Sequence, residues 1–222
     1  YEEWKKGEYK PYSTEQAARL IVEIKQLIPP WVRIMRIQRE IPAPGIADGV
    51  MNGNLRQLVQ EELARRGIAC RCIRCREVGQ HAIKNDSSPL AGDIRLQRIV
   101  YEASGGTEIF LSFEDPKLDI LVGYVRLRIP GEEAHRTEIK DQNAAIIREL
   151  HVFGQTVPVG ARNESAYQHR GYGTRLITEA ERTAAEDYQR TKMVVISALG
   201  TKNYYSRFDY RHDGPYMSKR LN

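Results

Sequence analysis

The chain has 222 residues, 41% of them hydrophobic and 28% charged, with a net charge of +5. This is enough sequence for a substantial core, and the composition is that of an ordinary globular protein. No apolar run is long enough for a membrane-spanning helix, no signal-peptide pattern is visible, and the polar, charged first residues Tyr1-Glu2-Glu3-Trp4-Lys5-Lys6 read like the middle of a protein. The default expectation is a cytoplasmic protein.

From the beginning of the chain, Ser13 to Gln16 carries a capping-box pattern that predicts a helix, with Leu20, Ile21, Ile24, Leu27 and Ile28 on one face and a stop at Pro29-Pro30. The run Trp31 to Ile37 reads as a strand. A Pro- and Gly-containing loop follows, and then a second helix from Leu55 to Arg66, with Leu55, Leu58, Val59 and Leu63 inward and Gly67 as its end. Helix and strand in alternation suit the closing units of an α/β barrel.

Residues 33–76 hold nine arginines and no lysine against four acids, so the whole positive excess sits there. Guanidinium groups favour bidentate phosphate contact, which makes Arg33, Arg36 and Arg39 candidates for an RNA-binding face; a solvated face with structural ion pairs is the other reading. Cys70, Cys72 and Cys75 are the only cysteines. Three thiols within six residues suit zinc with one further ligand, for which His81 is nearest in sequence; an iron-sulfur cluster and reduced buried thiols remain alternatives.

Loop composition marks residues 80–93 as a linker between a first part, 1–79, and a second, 94–222. The second part begins with strands at Ile94–Ala103, Glu108–Phe113 and Leu121–Ile129, the last two joined by a turn at Asp115-Pro116, and continues with a polar, exposed segment from Gly131 to Asn143. A strand at 144–153, a helix through Leu176, Ile177, Ala180, Ala184 and Tyr188, a strand at 193–197 and a short helix containing Tyr204 and Tyr205 complete the order. Between the first strand and helix of that series stands Gln168-His169-Arg170-Gly171-Tyr172-Gly173-Thr174. Two glycines allow close approach of a ligand to the first-turn N–H groups, which have no intrahelical acceptor and suit a pyrophosphate. A plain tight turn into an amphipathic helix is the competing reading.

The order strand, Q-x-x-G-x-G turn, helix, strand, N-Y-Y helix resembles the acetyl-CoA-binding half of GNAT-superfamily acetyltransferases. Longer motifs narrow the resemblance: Glu149 to Gly154, Val157-Pro158-Val159, Gln168 to Gly173, Gly200 to Tyr205 and Asp213 to Met217 are similar to the C-terminal domain of the Elongator catalytic-subunit family. Met35 to Pro42, Asn54-Leu55-Arg56 and Arg76 to Gly79 resemble the end of that family's radical S-adenosylmethionine (SAM) domain. The resemblance implies an α/β (α+β) chain, a GNAT acyltransferase fold preceded by the closing helix and strand units of a radical SAM barrel. It also implies a C-terminal portion of a longer protein, in which S-adenosylmethionine and an iron-sulfur cluster belong to the part not present here.

The implied activity is acetyl-CoA binding and thioester activation within an enzyme that carboxymethylates the wobble uridine of tRNA at C5. A protein lysine acetyltransferase and a non-catalytic acetyl-CoA sensor are the alternatives. The implied partners are acetyl-CoA and tRNA, with a homodimer or a larger Elongator-type assembly. For the cofactor, Arg170 to Thr174 (Arg170, Gly171, Tyr172, Gly173, Thr174) would hold the pyrophosphate with Gln168. The β-strand residues Glu149, Leu150, His151 and Val152 would line the pantetheine arm. Tyr204 and Tyr205 are the candidates for the group that serves the leaving sulfur, with Tyr205 carried over from the family as the cofactor contact. His151 and His169 invite a general-base reading but suit structural or solvated roles.

Overall fold

The computed structural model describes residues 1–37, 41–80, 89, 92–140, 142–154 and 171–221. They fall into two compact units, Tyr1–Arg76 and Glu77–Asn222.

In the first unit, α1 (Glu2–Lys5) precedes α2 (Thr14–Leu27). Ser13 caps α2 with the expected reciprocal pair: the Gln16 amide donates to Ser13 Oγ at 3.2 Å and the Ser13 amide to Gln16 Oε1 at 2.9 Å. The buried face of α2 follows the expected leucine and isoleucine stripe only in part: Ile21 packs against the core cluster. Ala18, Val22 and Lys25 are buried, while Leu20 and Ile24 are each 44% exposed and Leu27 80%. Small side chains at 18 and 22 let α2 approach α3 (Leu55–Arg65), whose Leu55, Val59 and Leu63 complete the cluster. Gly67, with φ +66°, ends α3 in the left-handed conformation that glycine adopts without strain. The expected strand at 31–37 forms no ladder among its described residues; its Val32 carbonyl instead accepts from the Ile73 amide at 3.0 Å, at the entry to α4 (Ile73–Arg76).

The second unit is built on seven strands: β1 (Arg95–Ala103), β2 (Gly106–Asp115), β3 (Ile120–Ile129), β4 (Ala144–Val152), β5 (Lys192–Val195), β6 (Arg211–Asp213) and β7 (Tyr216–Arg220). Their order in the sheet is β1-β2-β3-β4-β5-β7-β6, and every pairing is antiparallel except β4 with β5. A parallel pair requires a crossover, and α6 (Tyr172–Arg182), continued by a π-helical turn at Thr183–Asp187, lies in that connection. Before β4, a short helix, α5 (Thr137–Lys140), interrupts the segment read as exposed and polar. Its Ile139 is buried against Ala144, Ile146 and Val194, a local contact too short to show a period in sequence.

On the other sheet face, α6 buries Leu176, Ile177 and Ala180, each at 0% exposure, and burial of each large side chain contributes roughly 1.5–3 kcal/mol. The register places Phe113, Val125, Leu127, Ile147 and Val195 on this α6 side, and Phe110, Tyr124, Arg126 and Glu149 on the opposite side. A last short helix, α7 (Lys202–Ser206), follows β5.

Candidate functional site

Parallel pairing of β4 with β5 runs only from Ala144 opposite Lys192 to Ile147 opposite Val195, with one further rung from the Ile196 amide to the Ile147 carbonyl at 3.3 Å. Beyond it the strands part. The cause lies in β4: its register with β3 slips between Arg126 and Leu127, leaving Arg148 as the extra residue of a bulge. A bulge bends its strand and raises the local twist, here turning residues 148–152 away from β5. Glu149, Leu150, His151 and Val152 thus lie past the last β5 rung among the described residues, beside a fork in the sheet.

The start of α6 closes the open end of this fork. Gly171 is the N-cap residue, with φ +75°, and its carbonyl accepts from the Arg175 amide at 3.0 Å. Tyr172 is buried against the Phe113 ring at 5.0 Å, and the Arg175 guanidinium covers the same ring at 4.2 Å. These contacts fix the first turn so that its free amides and positive dipole end lie beside the fork. At Gly173 a Cβ would stand 2.6 Å from the Tyr204 hydroxyl oxygen and 3.8 Å from Val152 Cγ2, so this position must be glycine for the tyrosine to reach the helix start. Thr174 is exposed on the same turn. The expected site residues Gln168 and Arg170, together with His169, lie outside the described residues.

The two tyrosines of α7 occupy different environments. Tyr205 is 7% exposed and packs edge-on against Tyr204 and Tyr210 at centroid distances of 5.4 and 5.9 Å; burial pushes its hydroxyl up to about 12. Tyr204 is half-buried, rests against Phe208 at 5.3 Å, and aims its hydroxyl at Gly173; burial raises it above the ordinary phenol range as well. Adjacent helical residues diverge by about 100°, which explains one tyrosine turning into the core and the other toward the fork.

Glu149 sits on the sheet face opposite α6. It accepts from the buried Tyr124 hydroxyl and from Arg126 Nε at 2.9 Å, while Arg126 also reaches the Tyr101 hydroxyl at 3.2 Å. Burial would raise the Glu149 carboxyl, but the Tyr124 and Arg126 hydrogen bonds outweigh it and hold it below the usual range. His151 is exposed and stacks on Tyr124 and against Phe153, with centroids 6.2 and 4.5 Å away. Sequence reasoning did not find Tyr124 or Arg126, because only the β3–β4 register brings them opposite His151 and Glu149.

In the first unit, one helical turn gathers the cysteines: the Cys75 and Arg76 amides both donate to the Cys72 carbonyl, at 3.0 and 3.3 Å. The sulfurs of Cys70, Cys72 and Cys75 lie within 4.8 Å of one another, with Cys72 fully buried. Hydrogen bonds from Cys70 and Cys75 pull the Cys72 thiol well down, and the same sharing pushes Cys75 up. Lys25, only 1% exposed, places its ammonium 3.7 Å from Cys75 Sγ. Three thiolates around a divalent ion carry a net −1, which this buried cation offsets; the donor set therefore fits a metal. His81 lies outside the described residues.

The arginine-rich stretch divides into several roles. Arg65 and Arg66 bind Glu62, with Arg66 also reaching Glu23, Arg56 donates to the Met35 carbonyl, and Arg76 is buried at 2% exposure. Arg36 is exposed, Arg33 is half-buried, and Arg39 lies outside the described residues.

Comparison with known proteins agrees with this geometry. The acetyltransferase (GNAT) family model matches residues 80–210, and the radical SAM C-terminal domain model matches residues 1–65. Elongator complex protein 3 of Drosophila melanogaster is 48% identical over 221 residues, which cover 100% of this chain and 40% of that protein. The tRNA uridine(34) acetyltransferase of Methanocaldococcus jannaschii is 49% identical over 222 residues, covering 100% and 41%. The solved structure of the archaeal Methanocaldococcus infernus Elp3 with an N-terminal deletion matches with a TM-score of 0.91 at 48% identity, covering 100% of this chain and 52% of that one. The chain thus spans about two fifths of the length of the curated relatives it matches. It belongs to the acetyltransferase (GNAT) family.

Proposed function

We propose that the chain binds acetyl-CoA in the β4–β5 fork and supplies the acetyl-handling part of an enzyme that acts on uridine 34 of tRNA. The observation that carries this reading is the fork itself: β4 runs on past the last rung to β5, with the Gly171–Gly173 helix start and the Tyr204 hydroxyl beside it. The amides of Gly171, Tyr172, Gly173 and Thr174 cradle the pyrophosphate, with Gln168 and Arg170 adding to it. The amide-rich pantetheine arm pairs with β4 along Glu149, Leu150, His151 and Val152, as an added strand would.

Of the two tyrosines, Tyr204 is assigned to the leaving sulfur and Tyr205 to packing beneath it. With its hydroxyl raised by burial, Tyr204 stays protonated at neutral pH and is a weaker acid than a thiol of ordinary pKa near 8.5. Its contribution is therefore a hydrogen bond to the developing thiolate, with the proton itself arriving from solvent or acceptor. Glu149, ionised and anchored by Tyr124 and Arg126, faces the side of the fork away from α6 and is placed to orient an attacking water or acceptor.

In the first unit we assign zinc to Cys70, Cys72 and Cys75, on the evidence of the clustered sulfurs and the charge-balancing Lys25. The metal would hold α4 and α2 together and takes no part in the chemistry of the fork. The tRNA surface draws on Arg33, Arg36 and Arg39, supported by the exposure of Arg36 and by the names of the relatives. S-adenosylmethionine and an iron-sulfur cluster belong to the remainder of such an enzyme.

The test is acetyl-CoA hydrolysis by this chain and by the full-length protein, with and without tRNA. Stimulation by tRNA is expected. Equal rates with and without tRNA, together with acetylation of lysine peptides, would replace the RNA reading with a protein acetyltransferase, and binding without turnover in both proteins would make the domain a sensor.

A further inference from the structure

Ser197 stands two residues beyond the end of β5, immediately after Ile196 makes the last rung to β4. It therefore lies at the floor of the fork, level with the Arg148 bulge where the strands part. Its hydroxyl oxygen is shielded from solvent and has no hydrogen-bond partner among the described residues. A buried hydroxyl left without a partner costs about 1–3 kcal/mol, and a small protein has few of them. This one has no evident structural purpose: a valine or alanine would fill the position without that cost.

Its location supplies the purpose. By the two-residue alternation of β5, Ser197 falls in phase with Met193 and Val195, which the register places on the α6 side of the sheet. A pantetheine arm that starts at the first turn of α6 and runs along residues 152 to 148 covers five residues of strand, about 16 Å, before it meets the floor. The far end of that arm is the thioester. We propose that the Ser197 hydroxyl donates a hydrogen bond to the acetyl carbonyl oxygen of acetyl-CoA, an inference that rests on the fork being the acetyl-CoA site. A donor fixed in a water-shielded position before the substrate arrives stabilises the charge that develops on that oxygen as the carbonyl is attacked.

The experiment compares Ser197→Ala and Ser197→Cys with the parent chain, using acetyl-CoA and free CoA as ligands in calorimetric titration, and thermal unfolding without ligand. The acetyl-CoA Kd is expected to rise about three- to tenfold in Ser197→Ala, while that for CoA, which lacks the carbonyl, stays within about a factor of two. Ser197→Cys, a weaker donor, should fall between. The unliganded Ser197→Ala protein should melt no lower than the parent, because an unpartnered hydroxyl has been removed. An equal loss for both ligands, an unchanged acetyl-CoA Kd, or a lower melting temperature without ligand would each overturn the assignment. If the parent binds neither ligand, the fork itself is not an acetyl-CoA site, and the proposed function fails along with this inference.

Discussion

The two units solve the problem of cohesion differently. In Glu77–Asn222, a single sheet ties together distant segments, and its central strands β2 and β3 are buried along nearly their whole length. In Tyr1–Arg76, the described residues form no strand, and the buried apolar cluster consists of Ala18, Val22, Leu55, Val59 and Leu63, while Leu27 and Met35 stand 80% and 68% exposed. A sheet of this kind holds a bulged strand in place because its neighbours are rigid. Among the described residues of the helical unit, the cysteine turn with Lys25 is a second point of cohesion beside that cluster.

The largest expected effect breaks the molecule along this division. Chelation of the zinc proposed for the cysteine turn, or Cys72→Ser, should lower the unfolding temperature of the first unit by more than about 10 °C, since structural zinc in small domains is worth about 10–16 kcal/mol of binding free energy. The second unit should shift by no more than a few degrees. Differential scanning calorimetry separates the two; a single transition moving as a whole, or no metal in the purified parent, would remove the contrast.

Next in size is Gly173→Val. Its Cβ would stand 2.6 Å from the Tyr204 hydroxyl, and the displaced tyrosine and added methyl groups would fill the mouth of the fork. Acetyl-CoA affinity should fall at least about a hundredfold, or ~2.8 kcal/mol, with the sheet transition nearly unchanged. Tyr204→Phe is the milder companion: turnover should drop about tenfold or more with Kd little altered, whereas Tyr205→Phe should leave turnover close to the parent. The reverse ranking would return the assignment to Tyr205.

Much of the second unit is legible in the sequence, because strands with alternating or continuous apolar residues, a glycine turn and an amphipathic helix follow one another in order. The fork is not. Its cause is a one-residue slip at Arg148, and a bulge leaves no periodic trace. Ser197 and Tyr124 escape notice for a related reason, since each matters only through its neighbour across the sheet. In the first unit the capping box locates α2, and Ile21 of the expected stripe packs on the core, but Leu20, Ile24 and Leu27 stay exposed while the smaller Ala18 and Val22 take the buried positions against α3. The strand expected at 31–37 fails because β-branched residues can also serve an extended segment that has no ladder to join.

A smaller effect concerns the arginines. Changing Arg33, Arg36 and Arg39 together to Gln should weaken tRNA binding and flatten the slope of log K against log salt by about 0.7–0.9 for each phosphate no longer neutralised. Arg65 and Arg66, already committed to Glu62, should change that slope little when replaced, which makes them the internal control. Equal slopes for both sets of variants would show that the basic stretch acts only through net charge.

The smallest effect lies inside the rigid unit, and it tests whether the sheet holds Glu149 charged. Its carboxyl is depressed in the folded protein, so the contribution to stability is present above the unfolded-state value and lost as pH falls through the lower folded value, in a window below pH 4.5. The Glu149 side chain is 41% exposed, so solvent screens the Arg126 pair, and the gain should resemble that of other exposed pairs, about 0.2–1 kcal/mol. Glu149→Gln should therefore destabilise the second unit slightly at pH 7, with the difference from the parent shrinking as the parent's carboxylate protonates. Denaturant titrations at pH 7 and pH 4 read this directly. A difference that persists unchanged at low pH would mean that Glu149 acts through packing against Tyr124 and Arg126, and would remove the case for a charged group on that side of the fork.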